Sequence, residues 1–297
     1  MRARMAIAVL VVVGLVGAPG AVGSEGQVPD SLVFVRKGDL YRVTVDGSET
    51  VRMTTTPAWD ELNPAVSPSA LVVAYVRARR GTSASTIWTM TLDARNQTRV
   101  ASRLGDDDPA WSPTGDDIYF AHYSTNSVGD DCGSIFRVGT DGRGLRRVKR
   151  GSPSDFSPSV SIDGRVAFVE STGCWGSAFS LYLRVVDRSG RPTGDLRRLR
   201  RGPDYWEPRW SPDGTRLTFS SGLGSGGVFV ANRDGSGLRR LTPKRMEAHG
   251  PVWSPSGEWI SFSGSNGLWV VRPDGSALRH VRTTEPGDQS PDWLPRR

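Results

Sequence analysis

Cysteine is scarce: the 297-residue chain has only Cys132 and Cys174. Histidine is scarcer relative to its usual roles, with His122, His249 and His280 too few and too dispersed for an obvious metal site. No apolar run reaches the roughly 20 residues that cross a bilayer as a helix; the longest, Met5 to Ala18, is about 14. No nucleophile elbow, zinc-protease helix or phosphate loop is present. These absences leave open an enzyme built from loops. Charge of one sign is in mild excess, +7, of which Arg2 and Arg4 supply two, and this is a poor basis for nucleic-acid binding. Charged residues make up 23%, too few for a disordered polyelectrolyte. No segment after the N-terminus has helical character.

What is present begins with "MRARMAIAVLVVVGLVGAPGAVGS". Two arginines, an apolar run and then small residues form a secretory leader, residues 1–23, with cleavage expected near Ala21–Ser24. A short linker, 24–30, follows. The mature chain is therefore expected in the periplasm, cell envelope or extracellular space, with no membrane span after cleavage. No cysteine follows the run, which excludes a lipid-anchored one, and an even cysteine count in an exported chain suggests a disulfide.

The rest of the chain repeats itself. Six apolar runs, "LVFV", "LVVAYV", "DIYFAHY", "RVAFVES", "RLTFSS" and "WISFSG", suit buried strands. Each is followed by a strand with an early aromatic: Tyr41, Trp88, Phe136, Tyr182, Phe229 and Trp269. A tight turn such as "RDGSG" comes next, its Asp-Gly supplying positive φ. A short third run such as "LRRLT" follows. A fourth strand then reads "PAVS" (64–67), "PAWS" (109–112), "PSVS" (158–161), "PRWS" (208–211), "PVWS" (251–254) and "PDWL" (291–294). Four short strands per unit, six units and a period of about 40–50 residues predict an all-β fold, a six-bladed β-propeller of four-stranded antiparallel blades over 31–294. The chain starts in the middle of a unit and ends on a lone "SPDW". One C-terminal strand plus three N-terminal strands should therefore close the ring.

"WSPDG", an apolar strand, an aromatic strand and then "DGSGLRRLT" resemble the WD40-like repeats of the TolB family, propellers of the periplasmic Tol–Pal envelope system. The resemblance covers about 31–294. It is strong at 207–246 and 250–285 and weaker where "VSPSA" and "VSIDG" depart from the pattern. It implies the propeller only, since the family's N-terminal α/β domain has no counterpart, and it implies a cation held in the channel.

The segments before each inner-strand proline carry at least one carboxylate per unit: Asp60 and Glu61; Asp106, Asp107 and Asp108; Asp155; Asp204 and Glu207; Glu247; Asp288. Read as crossings between blades, they are expected to converge on one channel mouth as an acidic ring that attracts cations or a basic peptide. Oxygen ligands of this kind would suit Ca2+, although no cofactor is required. The competing reading is that these aspartates cap turns. Glu247 and His249 are the weak candidates for a metal. The arginine-rich third runs read as guards of exposed blade edges. Cys132 in "GDDCGS" and Cys174 in "TGCWGS" occupy the same loop type in neighbouring units and are expected to pair.

Three functions follow, the last an ion-dependent structural propeller with no ligand beyond the cation. The first is a non-catalytic, monomeric binding propeller with a protein or peptide partner and no nucleic acid. The alternative is an envelope hydrolase or lyase using channel-mouth carboxylates.

Overall fold

The computed structural model describes residues 31–125, 131–148, 154–171, 173–174, 181–187, 191, 193, 205–222 and 226–294. The leader, the linker, Asp204 and the "LRRLR" run at 196–200 lie outside the described residues.

Six antiparallel sheets stand as blades, and no helix occurs among the described residues. The first blade contains β1 (Ser31–Arg36), β2 (Asp39–Thr44) and β3 (Thr50–Arg52). The second contains β4 (Trp59–Val66), β5 (Val72–Arg79), β6 (Ser85–Thr91) and β7 (Thr98–Arg99). The third contains β8 (Asp106–Trp111), β9 (Asp117–Thr125), β10 (Asp131–Gly139) and β11 (Arg146–Arg147). In the fourth, β12 (Ser154–Val160), β13 (Val166–Ser171) and β14 (Leu181–Val186) are described. The fifth contains β15 (Tyr205–Trp210), β16 (Arg216–Ser221), β17 (Gly227–Asn232) and β18 (Arg239–Arg240). The sixth contains β19 (Ala248–Trp253), β20 (Ile260–Gly264), β21 (Gly267–Val271) and β22 (Arg279–His280). The last strand, β23 (Gln289–Leu294), returns to the first blade and pairs with β1, placing Leu32 opposite Trp293. The expected ring closure is present.

The second strand of each blade is covered on both faces, which is why it reads as an unbroken apolar run. Its central ring, Phe34, Tyr75, Phe120, Phe168, Phe219 or Phe262, is fully buried. In five blades the aromatic of the third strand lies directly across from it, as in Phe34 with Tyr41 and Phe219 with Phe229. Ring centroids there are 5.8 and 6.1 Å apart. Truncating any of the central rings costs about 3–5 kcal/mol.

The recurring serine staples the hairpin out of five of the inner strands. The Ser211 amide donates to the Arg216 carbonyl at 2.9 Å, and the Arg216 amide returns a hydrogen bond to Ser211 Oγ at 2.9 Å. Ser67, Ser112, Ser161 and Ser254 repeat this pair of bonds. The turn needs a left-handed residue, supplied by Gly214 at φ 68°. In "VSPSA" that place falls to Ala70 at φ 56°, buried with 4% exposure.

The outer strands β3, β7, β11, β18 and β22 span only two or three residues and include exposed arginines such as Arg99 and Arg146, as an edge-guarding role requires.

Cys132 and Cys174 form a disulfide, Cα to Cα 4.6 Å. Cys132 lies within β10, opposite Ser124, rather than in a loop, because the β9–β10 hairpin extends beyond its apolar centre. Cys174 follows β13, so the bond ties the third blade to the fourth.

Two stability measurements follow. Ala70→Gly should raise the unfolding free energy by up to about 1 kcal/mol, because relief of the left-handed alanine exceeds the added chain entropy; a lowered denaturant midpoint would contradict this. Reduction should add two protons to the intact mass. It should also lower the midpoint, with about 4 kcal/mol as the upper bound for a closed loop of this sequence separation, 42 residues.

Candidate functional site

Each inner strand begins earlier than its sequence suggests. The segments read as crossings are already paired strand, so β4 starts at Trp59 rather than Pro64, and β8 starts at Asp106. The pattern was hidden by a bulge. The residue before every inner-strand proline has positive φ: Asn63 47°, Asp108 50°, Ser157 52°, Glu207 52°, Gly250 62° and Ser290 51°. Each inner strand slips register at this point. A bulge of this kind breaks the two-residue alternation and re-aims the side chain.

In a regular strand, residues two apart share a face. Across this bulge they part company. The position three before proline holds Glu61, Asp106, Asp155 and Asp288, all buried to 98% or more. Glu61 accepts hydrogen bonds from Thr56 at 2.6 Å and Thr54 at 3.0 Å and pairs with Arg77 at 3.4 Å. Asp288 takes both arms of Arg36, at 2.8 and 2.6 Å. Asp106 Oδ1 meets His122 Nδ1 at 2.8 Å. These partners in turn rest on third-strand aromatics: Arg36 over Tyr41 at 5.2 Å, Arg77 over Trp88 at 4.9 Å and His122 edge-on to Phe136 at 5.6 Å. Three blades thus carry the same rung of carboxylate, nitrogen partner and ring. These carboxylates brace blades and are not free at a channel mouth. Asp60 is half-buried and ion-paired to Arg80 at 2.8 Å. Glu247 and His249 are exposed beside and within β19.

The position immediately before proline forms a girdle across the channel. Ser290 Oγ donates to Asn63 Oδ1 at 2.9 Å, and Asn63 Nδ2 donates to Asp107 Oδ1 at 2.8 Å and Asp108 Oδ1 at 3.1 Å. Ser157 Oγ donates to Asp108 Oδ2 at 2.9 Å. On the other side, Glu207 Oε2 accepts from Ser220 Oγ and the Gly250 amide, each at 2.6 Å. Above the girdle lies a cavity of about 430 Å³. It extends to the Ser-Pro turns, where Pro68, Pro113, Ile162, Pro212 and Pro255 form an apolar collar. Its charged residues are Asp108, Glu207, Asp292 and Arg209. Asp108 and Glu207 are therefore the two sequence candidates that line the cavity, which lies on the turn side of the girdle.

Asp292, Arg209 and Asn63 escaped the sequence reading. Asp292 accepts the Val66 amide at 2.6 Å and the Trp293 amide at 2.9 Å. It and Arg209 occupy the slot after the proline, which holds Ala65, Ala110, Ser159 and Val252 in the other units. Two charges among small or apolar residues at one register position were the available signal.

Burial pushes the Asp108 carboxyl up to about 7, aided by the neighbouring Asp107 charge, and pushes Asp292 up to about 6. Asp107, Glu61 and Asp106 also rise, each mainly through burial. Unfolded aspartates release their protons near pH ~3.9. Between that value and their folded ones, Asp108 and Asp292 hold protons in the folded chain that the unfolded chain has lost. Their contribution to stability is full below about pH 4 and is lost as pH rises through 6 and 7. Asp108→Asn should accordingly flatten the fall in Tm between pH 5 and 8 measured by calorimetry; an unchanged slope would refute the assignment.

No family model matches the chain. It is 35% identical over 139 residues to an uncharacterised protein of Agrobacterium fabrum, covering 45% of this chain and 46% of that one. It is 30% identical over 58 residues to Tol-Pal system protein TolB 1 of Novosphingobium aromaticivorans, covering 20% of this chain and 13% of that one. The matches thus span less than half the length of either curated relative. The crystal structure of TolB from Acinetobacter baumannii superposes with a TM-score of 0.70 at 18% identity, covering 90% of this chain and 67% of that one. At that identity the likeness is one of fold. In its repeats, its blade order and its ring closure, this chain is a TolB-like six-bladed β-propeller.

Proposed function

We propose that the chain is an exported, non-catalytic binding propeller of the cell envelope, a monomeric scaffold that holds a protein or peptide in its central cavity. The observation that carries this reading is the cavity itself. An apolar collar leads to a floor with Asp108, Glu207 and Asp292, the arrangement of apolar walls and a few convergent polar groups typical of ligand sites. The disulfide fits an exported protein. No helix among the described residues is long and apolar enough to cross a membrane. Proteins named for TolB and the Tol-Pal system share the fold or part of the sequence, which supports an envelope setting.

A carboxylate hydrolase or lyase would need an acid and a base whose pKa values are driven apart. Asp107 and Asp108 instead share the Asn63 amide and are both pushed upward. Their oxygens accept hydrogen bonds from Asn63 and Ser157, and no group of three or more histidine, cysteine or acidic side chains suited to a metal occurs among the described residues. No step in this reading uses a resident Ca2+.

Photo-crosslinking tests the proposal. A benzophenone amino acid placed at Ile162, on the collar, should capture one reproducible partner in the native envelope, while the same probe at Leu104 should not. No adduct from Ile162, or turnover of a cell-wall polymer by the purified chain, would overturn it.

A further inference from the structure

We infer that the chain covers its own cavity: Pro295 takes the sixth place in the apolar collar, and Arg296 and Arg297 lie across the mouth, so that a partner enters by displacing them. The inference rests on the binding reading above and adds a competing occupant from the same chain.

Register places the segment. Four residues after the inner-strand proline, five units hold Pro68, Pro113, Ile162, Pro212 and Pro255, and the cavity wall reaches all five. In the first blade the wall runs up β23 only as far as Trp293. The residue at the matching offset from Pro291 is Pro295. The sixth place of the collar therefore falls to the residue that follows β23, and it is of the same type as four of the other five.

Collar residues lean on the next blade. A Cβ added to Gly115, Gly214 or Gly257 would stand 3.8, 3.3 and 3.8 Å from Pro68, Ile162 and Pro212. In the same order Pro295 meets the turn of the second blade, where Ala70 replaces glycine and adds a methyl group.

No hairpin fixes where the chain goes after β23. In the other blades the stapled turn carries the inner strand out into the second strand. In the first blade Leu294 lies opposite Ser31, with no turn joining the two, and Leu294 stands where the other units hold the stapling serine.

Charge favours this occupant. The cavity wall sets Asp108, Glu207 and Asp292 against Arg209 alone. The Arg209 charge pulls Asp108 and Asp292 down, yet burial keeps both raised, so further positive charge is favourable there. Arg296 and Arg297 supply two such charges. Length sets the depth. Three residues extend at most ~10 Å. Along β23, Asp292 lies ~7 Å below Leu294 and the girdle residue Ser290 ~13 Å below it. The segment therefore caps the mouth with its guanidinium groups towards the acids and does not thread the girdle.

Two measurements on the full chain test this. Arg296→Lys with Arg297→Lys keeps both charges and adds amines that a carbodiimide joins to a touching carboxylate. Peptide mapping of the purified protein should find the new amide at Asp108, Glu207 or Asp292. An amide at Glu25 or Asp30, in the segment before β1, or no amide at all, would overturn the inference. Arg296→Ser with Arg297→Ser should raise the yield of the Ile162 adduct with its partner about fivefold, and added salt should narrow that difference. Pro295→Gly, which leaves the charges in place, should raise the yield less. An Ile162 adduct of unchanged yield would sink the displacement step, and with it the inference. If the amide forms while Ile162 captures nothing from either chain, the binding reading falls and the covered mouth stands.

Discussion

A left-handed residue before each inner-strand proline organises the whole molecule. Five of the six are not glycine, and each such residue costs about 1–2 kcal/mol. The ring repeats this cost because the bulge does two things at once. It turns the side chain before the proline towards the axis, where Asn63, Asp108 and Glu207 make the girdle. It also leaves the side chain two places earlier in the blade stack, where Glu61 and Asp288 meet an arginine and Asp106 meets His122. Without the bulge both sets would share a face, and the channel and the braces would compete for the same space.

The braces explain how a chain with abundant acids keeps them out of water. Arg36 and Arg77 neutralise buried carboxylates and also lie on the third-strand rings, so each rung joins three strands of one blade. In the third blade the partner is the His122 imidazole. The fifth and sixth blades replace the acid with Tyr205 and Ala248, and there outer-strand residues, Arg240 and His280, meet the ring instead. Pairing of the central ring with a third-strand aromatic is therefore shared by five blades, and the polar partner varies among them.

The architecture was legible in the sequence because turn chemistry and strand chemistry repeat together. Serine two residues before the turn's third position, a left-handed glycine and a buried central ring recur at fixed offsets. Even the departures made sense: "VSPSA" keeps the turn by holding Ala70 in the glycine conformation. The cavity was legible only in part. Ten acids stood near the inner prolines, and an unbroken strand alternation would set Asp106 and Asp108 on one face. The bulge that separates them leaves no residue-type signature, since Asn, Asp, Ser, Glu and Gly all occupy its left-handed slot. Asp292 and Arg209 lay one residue beyond the inner-strand proline, past the acids that drew attention.

Ring closure has a kinetic side. β1 emerges first from the chain, yet its inner partner is β23, so residue 32 waits for residue 293 before that sheet is complete. A contact of such long sequence separation forms late, after the entropy of closing nearly the full loop has been met. Until then the first blade presents a bare edge built of "LVFV", the kind of apolar strand that recruits foreign strands. The period of greatest exposure falls between the formation of the first blade and the arrival of its last six strand residues.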